Sequence, residues 1–212
     1  ALKTLENPPK IWIQMATAHI YGDPPSQICY EDSTFGYGLA PIVGKAWEEA
    51  FLKSKPENLR GVRLRTSFVI GKNGGALASL KRIVKLGLGG SVSHGKQGMS
   101  WIHEYDMNNL VLTCIENEKY QGAYISSSPH PVSNKEFMRK LRKEMKIPVG
   151  LPAPRWMTQF GAKYIFKTDP DLVLYGRYVK SKRLEDEGFE FKYPTLDNAL
   201  KDLLKKTTTN NK

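Results

Sequence analysis

The residues of this chain that could do chemistry collect at the ends of strand-like segments. Thr17 directly follows the apolar run Ile11-Trp12-Ile13-Gln14-Met15 and Ala16, and leads into Ala18-His19 and Ile20-Tyr21-Gly22. A near-continuous apolar run bounded by turn formers is the pattern of a central strand in a parallel sheet. Ligands of open α/β sheets bind outside the carboxyl ends of such strands. The Thr17 hydroxyl is therefore placed to hydrogen-bond a substrate carbonyl or hydroxyl, or else to bond its own backbone at the strand end. Arg65-Thr66-Ser67 closes a second strand-like segment, where Arg65 is either a ligand contact or a buried arginine paired with a carboxylate. Trp101-Ile102-His103 is a short strand ending in an imidazole. Histidine is the side chain suited to acid/base work near neutral pH, and a lone histidine also serves structure. Lys45, inside a helical pattern, reads from spacing alone as a solvated lysine.

Other chemistries lack their residues. The four histidines and two cysteines, Cys29 and Cys114, fall without metal-ligand spacing,. No G-x-S-x-G elbow marks a serine hydrolase. The turn Gly71-Lys72-Asn73-Gly74-Gly75 offers backbone amides that could form an anion nest,. Asp106 or Glu104 is expected to cap a helix, and His19 and His94 are read as loop residues.

The elements that must position these groups alternate. A helix is predicted from Leu39 or Pro41 to Lys55, with Trp47, Ala50, Phe51 and Ser54 on one face and Glu48, Glu49 and Lys53 pointing elsewhere. A strand follows over 61–70, a helix over 76–86, a short strand at 99–103, a helix to about Asn117 and a strand at 122–126. Ser133-Asn134-Lys135-Glu136 is a capping box opening a helix through Lys146. Further on, the pattern predicts an amphipathic helix over 155–166, with Trp156, Phe160, Tyr164 and Ile165 inward, and a short helix over 169–175. A helical turn at 182–187, a strand at 189–193 and a last helix capped by Thr195 complete the reading. The start, Ala1 to Glu6, reads as the last turns of a helix stopped by Pro8-Pro9. The alternation in the first 130 residues predicts the second half of a doubly wound parallel sheet, an α/β fold, and residues 131–212 a small mixed lobe beside the strand ends.

Charge is uneven. The net charge is +11, and residues 132–212 carry 18 Lys and Arg against 10 Asp and Glu. A solvated lysine-rich surface accounts for this, and no interleaving of aromatics with basic residues suggests a nucleic-acid platform. No apolar run approaches the roughly 18 residues of a membrane span, and nothing resembles a signal peptide. With two cysteines, the expectation is a cytoplasmic, reducing setting.

Several segments together resemble the extended short-chain dehydrogenase/reductase superfamily. Thr17 to Asp23 (TAHIYGD) is similar to the segment after its central strand. Gly44-Lys45 with Glu49 resembles the end of its Y-x-x-x-K-x-x-x-E helix, RLRTSFVIG (63–71) its R-x-x-x-V-x-G strand, and WIHEYDMNNLV (101–111) its F-I-H-V-x-D segment. NGGALASLKRIVKLGLGG (73–90), PVSNKEF (131–137) and KRLEDEGFEFKYPTLDNAL (182–200) point to an epimerase/dehydratase-like branch with a C-terminal domain of unknown function. The resemblance implies an oxidoreductase using NADP or NAD, acting on a small-molecule, sugar-like substrate. It implies catalytic roles for Thr17 and Lys45, cofactor contacts from Ala16, Thr17, Lys45, Arg65, Thr66 and Ser67, and a substrate pocket with Tyr21, Trp101 and His103. Pro41 stands where the family has its catalytic tyrosine, four residues before Lys45, and no Gly-rich dinucleotide loop precedes Ile11. The chain therefore reads as a C-terminal portion that binds cofactor weakly alone and could self-associate through an open sheet edge. The alternative is a non-catalytic nucleotide-binding or redox-sensing module.

Overall fold

The computed structural model describes residues 5–24, 27–160 and 174–205. Three parallel strands form its main sheet in the order β1 (Ile11–Thr17), β3 (Arg60–Thr66), β7 (Gly122–Ser126). Their register brings the carboxyl ends level: Thr17 lies opposite Thr66, and Thr66 opposite Ser126. The centre of the described sheet is β3. The 11–17 strand, expected to be central, is an edge here, and most of its residues are only half-buried.

Successive residues of a strand point to opposite faces, and β3 uses both. Val62 and Leu64 are fully buried against Leu110 and Cys114 of α3 (Glu104–Glu116). Arg63 and Arg65 point the other way, toward α1 (Leu39–Ser54), where both reach Glu48. The helix face is turned from the expected one: Phe51 is buried as expected, but Ala50 and Ser54 are exposed. Glu48, assigned to solvent by its charge, is buried, while Trp47 is exposed. Two arginines on one strand face oblige the helix above them to turn an acid inward, because buried charges need partners.

A second core lies beside the sheet. It joins β4 (Phe68–Ile70), β6 (Trp101–His103), α2 (Gly75–Lys85), α4 (Asn134–Glu144) and the C-terminal helix α7 (Leu196–Leu204) through Ile70, Leu77, Trp101, Phe137, Leu141 and Leu200. β4 and β6 pair in parallel. Shorter pairings join β2 (Ile28–Cys29) to β9 (Tyr178–Val179), and β5 (Gly98–Met99) to β8 (Val132–Ser133). Short helices at Arg155–Phe160 (α5) and Lys182–Asp186 (α6) complete the chain.

The caps follow the sequence at two helices and depart from it at a third. Ser133 Oγ accepts from Glu136 N at 3.2 Å, and Thr195 Oγ1 from Asn198 N at 3.5 Å. At α3 the cap is His103, whose Nδ1 accepts from Tyr105 N at 3.0 Å. Asp106 instead accepts from Lys192 N and Tyr193 N, at 2.8 and 3.0 Å. That capture explains why 189–193, expected as a strand, is irregular: two of its amides go to a carboxylate. Residues 5–10 are not helical, and Trp156 is exposed instead of inward. The expectations for Ala1 to Thr4, Tyr164, Ile165 and the start of the 169–175 helix fall outside the described residues.

Candidate functional site

Thr17 ends β1 and caps the single 3₁₀ turn Ala18–Tyr21 that follows it. Its Oγ1 accepts from His19 N at 3.1 Å and lies 3.2 Å from His19 Nδ1. The turn is held under α1 by Gly44. A Cβ there would stand 3.2 Å from both Thr17 Cγ2 and Ile20 Cβ, so the close approach of helix and turn requires glycine. The next residue is Lys45, whose ammonium lies 5.6 Å from the centre of the Phe35 ring. No acid pairs with Lys45 among the described residues. One helix–turn contact, made by Gly44, thus brings the helix that carries Lys45 against the turn that follows Thr17.

The neighbouring strand ends are mostly self-bonded. Thr66 Oγ1 donates to Leu64 O at 3.0 Å. Ser67 donates from both its N and its Oγ to Ser126 O, at 3.1 and 2.7 Å. Ser126 Oγ, by contrast, is a buried hydroxyl with no hydrogen-bond partner. Ala16 is buried beside Arg65 in the register. Arg65 takes the ion-pair alternative: its Nε donates to Glu48 Oε1 at 2.7 Å, and its Nη1 to Tyr21 Oη and to Glu31 O, each at 2.7 Å. Burial pushes the Tyr21 phenol well above its ordinary range, although Arg65 pulls the other way. Tyr21 is therefore a neutral, fixed phenol. Tyr37 is 96% exposed. One helical turn before Lys45 stands Pro41, so that turn offers no phenol as a proton donor.

Trp101 and His103 do not join this group. Trp101 is fully buried in the second core. His103 stacks on Tyr193 with ring centres 3.9 Å apart, and its Nε2 lies 3.4 Å from Asp202 Oδ2. Burial lowers its pKa against the pull of Asp106, Asp202 and Glu104, leaving a neutral imidazole that ties β6 to α7. The anion nest expected at 71–75 is already filled by the chain itself. Lys72 N donates to Glu104 Oε1 at 3.0 Å, and the same carboxylate sits where a Cβ on Gly71 would be.

Sequence reasoning missed His19, Glu31, Glu48 and Arg177 as partners of the strand ends. Glu48 was findable, since Arg63 and Arg65 share a strand face by simple alternation. Glu31 was not: its carboxylate accepts from Ile125 N at 3.0 Å, from Lys182 N at 3.1 Å and from Ser181 Oγ, all remote in sequence. Two surface recesses, lined by Leu5, Pro8, Pro9 and Leu52 and by Phe51, Gly61, Arg63 and Gly122, lie toward the amino ends of the strands. A seven-residue strand, roughly 20 Å long, separates that end from Thr17.

Known proteins resemble this chain over most of its length. Residues 153–203 match the family described as Domain of unknown function (DUF1731). The chain is 30% identical over 196 residues to the chloroplastic epimerase family protein SDR39U1 homolog of Arabidopsis thaliana, covering 92% of this chain and 55% of that protein. It is 28% identical over 208 residues to epimerase family protein SDR39U1 of Mus musculus, covering 96% and 69%. The crystal structure of human epimerase family protein SDR39U1 (isoform2) with NADPH superposes with a TM-score of 0.86 at 25% identity, covering 96% of this chain and 68% of that one. Over nearly its whole length the chain is similar to epimerase family proteins. It spans 55% of the length of the plant relative. In this chain Gly44, the residue before Lys45, packs on the turn that follows Thr17, and Pro41 stands one helical turn before Lys45. Among its described residues no helix is long and apolar enough to cross a membrane.

Proposed function

We propose that this chain carries the nicotinamide-side wall of an NADP or NAD site in an epimerase-like oxidoreductase with a small, hydroxylated, sugar-like substrate. Residues 1–130 form the cofactor-side domain in this reading, and 131–212 the substrate-side lobe. The observation that carries it is that Thr17, packed under Gly44 of the helix that carries Lys45, and the unpartnered Ser126 hydroxyl lie at the level carboxyl ends of the same parallel sheet. The residues fit a nucleotide's sugar end. Lys45 has an ammonium without an acid partner, suited to donate to ribose hydroxyls, and Ser126 Oγ is a buried hydroxyl awaiting an acceptor or donor.

The cofactor, when bound, supplies the hydride acceptor or donor. Thr17 Oγ1 orients a substrate hydroxyl or carbonyl, and the adjacent His19 Nδ1 can share the proton of that hydroxyl. Tyr21 and Arg65 hold the turn and strand in register beneath them. The human relative's crystal structure with NADPH supports the assignment of the cofactor class.

Saturation-transfer NMR with NADPH and with NADH tests this reading on the chain as it is. Saturation is expected to reach the nicotinamide protons, and Lys45→Ala is expected to weaken binding about tenfold, the worth of one hydrogen bond to a charged group. No transfer at millimolar cofactor, or transfer indifferent to both Lys45→Ala and Thr17→Ala, sinks it.

One observation favours a second reading, a nucleotide-binding or redox-sensing module without turnover. Pro41 replaces the phenol, and the Tyr21 phenol is occupied by Arg65. Lys45-dependent cofactor binding with no consumption of NADPH over a panel of sugar nucleotides would select it.

A further inference from the structure

Arg177 is buried, 8% exposed, without either a counter-ion in contact or a full set of hydrogen bonds among the described residues. Its Nε has no hydrogen-bond partner. Its Nη2 makes one long bond, 3.4 Å, to Tyr175 O. Asp23 acts on it through space, without an ion pair in contact range, and accepts from Gly176 N at 2.9 Å. Cys29 also faces it, as a thiol kept neutral by burial. The other arginines that reach the interior are treated differently. Arg65 has Glu48, Tyr21 and Glu31 O, Arg63 has Glu48, and Arg60 has the carbonyls of Cys114, Asn117, Tyr120 and Ile115.

The fold goes to some length to place this side chain. Arg177 N donates to Gly98 O at 3.0 Å, and Arg177 O accepts from Ser100 Oγ at 2.9 Å, so both of its backbone groups are fixed. Ser100 Oγ also accepts from Val179 N at 2.8 Å. The two backbones touch through glycines. A Cβ on Gly98 would stand 2.4 Å from Arg177 C, and one on Gly176 would stand 2.2 Å from Gly98 O. A surface arginine needs none of this. A buried guanidinium without a partner is unfavourable unless something of opposite charge completes it.

The Gly176 N bond to Asp23, two residues past the Ala18–Tyr21 turn, ties the segment of Arg177 to the turn that carries His19. The Arg177 charge, after burial, is the second cause that holds the His19 imidazole down at about 4, so His19 is neutral at ordinary pH and the guanidinium is within electrostatic reach of the Thr17–His19 pair. His19 Nδ1 faces Thr17 Oγ1, and Nε2 has no hydrogen-bond partner among the described residues. A neutral imidazole nitrogen and a hydroxyl at the end of β1, and an incompletely bonded guanidinium on the segment hydrogen-bonded just past their turn, thus lie on adjoining segments.

We propose that Arg177, together with Thr17 and His19, receives an oxyanion carried by the substrate, a carboxylate or a phosphate. This deepens the reading above and rests on it, since Thr17 is the substrate-side hydroxyl of that site. The guanidinium fork matches either oxyanion with two parallel hydrogen bonds. The substrate class is thereby narrowed from small hydroxylated molecules to those bearing an acid group next to the reacting carbon or hydroxyl.

Two measurements on the chain as it is test the proposal, and neither requires cofactor or turnover. In the first, the His19 side-chain NMR signals are followed during titration with inorganic phosphate and, separately, with glucuronate, at constant ionic strength. A saturable shift with either anion is expected in the wild type and is expected to vanish in Arg177→Met. Saturation by phosphate alone assigns a phosphorylated substrate, and by glucuronate alone a carboxylic acid. In the second, thermal unfolding is compared. Arg177→Met is expected to unfold at the same temperature as the wild type or higher, and the saturating anion to raise the wild-type midpoint but not the variant's. Absence of any saturable shift in the wild type overturns the proposal, as does a shift that persists in Arg177→Met. Should Arg177→Met fail to fold, Arg177→Lys keeps the charge without the fork and is expected to retain a saturable but at least tenfold weaker response. An unchanged response in that variant also overturns it. Failure here leaves the Lys45-dependent cofactor test standing, and failure of the cofactor test leaves the anion titration readable.

Discussion

Glu48 of α1 and Arg65 of β3 are joined by paired contacts, Nε to Oε1 at 2.7 Å and Nη2 to Oε2 at 3.0 Å, with both side chains buried. Arg63 adds a third contact to the same carboxylate at 2.9 Å. One acid is therefore shared by two arginines between the helix that carries Lys45 and the strand that ends at Thr66.

Removing that acid is expected to be among the most damaging single changes in the chain. Glu48→Ala leaves two guanidinium groups in a largely buried position with no counter-ion. Breaking one side of a buried pair in this way costs about 3–5 kcal/mol. Arg63→Ala leaves the better-aligned Arg65 contact intact and is expected to cost less. Urea unfolding of the two variants measures the difference, and equal losses would contradict the geometry.

Asp106 has a comparable role at the other core. Its two oxygens accept from Lys192 N and Tyr193 N, and it is fully buried. Asp106→Ala takes the acceptor from two partly buried amides, at about 1 kcal/mol each,. Asp106→Asn keeps one accepting oxygen and is expected to lose roughly half as much. Hydrogen exchange at Lys192 and Tyr193 should accelerate in both variants, more in the alanine. A loss of stability without faster exchange at those amides would mean that Asp106 acts elsewhere.

His19 gives the fold a defined acid response. Its pKa is lowered from 6.5 to about 4, first by burial and then by Arg177. In the window between those values the unfolded chain binds a proton that the folded chain refuses. Stability from this group is full above pH 6.5 and is lost as pH falls toward 4, by at most about 3 kcal/mol. His103, also lowered by burial, acts in the same direction. His19→Gln is expected to flatten part of the slope of unfolding free energy against pH between 6.5 and 4 and to leave the slope above pH 7 untouched. An unaltered slope in the variant would show that the imidazole is not held neutral.

The sequence revealed the local devices and concealed the remote ones. The strands at 11–17 and 122–126 were legible because their apolar patterning and turn residues are local, and Ser133 and Thr195 because capping needs only the next turn; the strand expected over 61–70 is broken at Ser67 into Arg60–Thr66 and Phe68–Ile70, which pair in different sheets. Thr17 was legible as a strand-end hydroxyl, and Lys45 only through the family resemblance. Glu48 was misplaced because a charged residue on a helix defaults to solvent, and the arginines that draw it inward lie on another element. His103 as a cap, Asp106 as a clamp and Glu31 as a hub depend on partners brought close only by the fold. Arg177 left no local mark at all, since its significance is what it lacks.

Gly44 tests whether the helix really sets the position of the Thr17 hydroxyl. Alanine in place of glycine within a helix normally stabilises by roughly 1 kcal/mol. Here the added Cβ would press at 3.2 Å on Thr17 Cγ2 and on Ile20, which is fully buried and cannot withdraw. Thr17 is itself fixed by its bond from His19 N, so the strain falls on the turn that carries both. Overpacking of this kind typically costs about 1–3 kcal/mol and is expected to outweigh the helical gain. Gly44→Ala should therefore be destabilised by about 1 kcal/mol net in urea unfolding, with the largest backbone amide shift changes at Thr17 to Ile20. It should also weaken saturation transfer to the nicotinamide protons although Lys45 is intact. A variant that is more stable than the wild type and leaves the Thr17 and His19 signals in place would show that α1 and the 3₁₀ turn are not coupled through this contact.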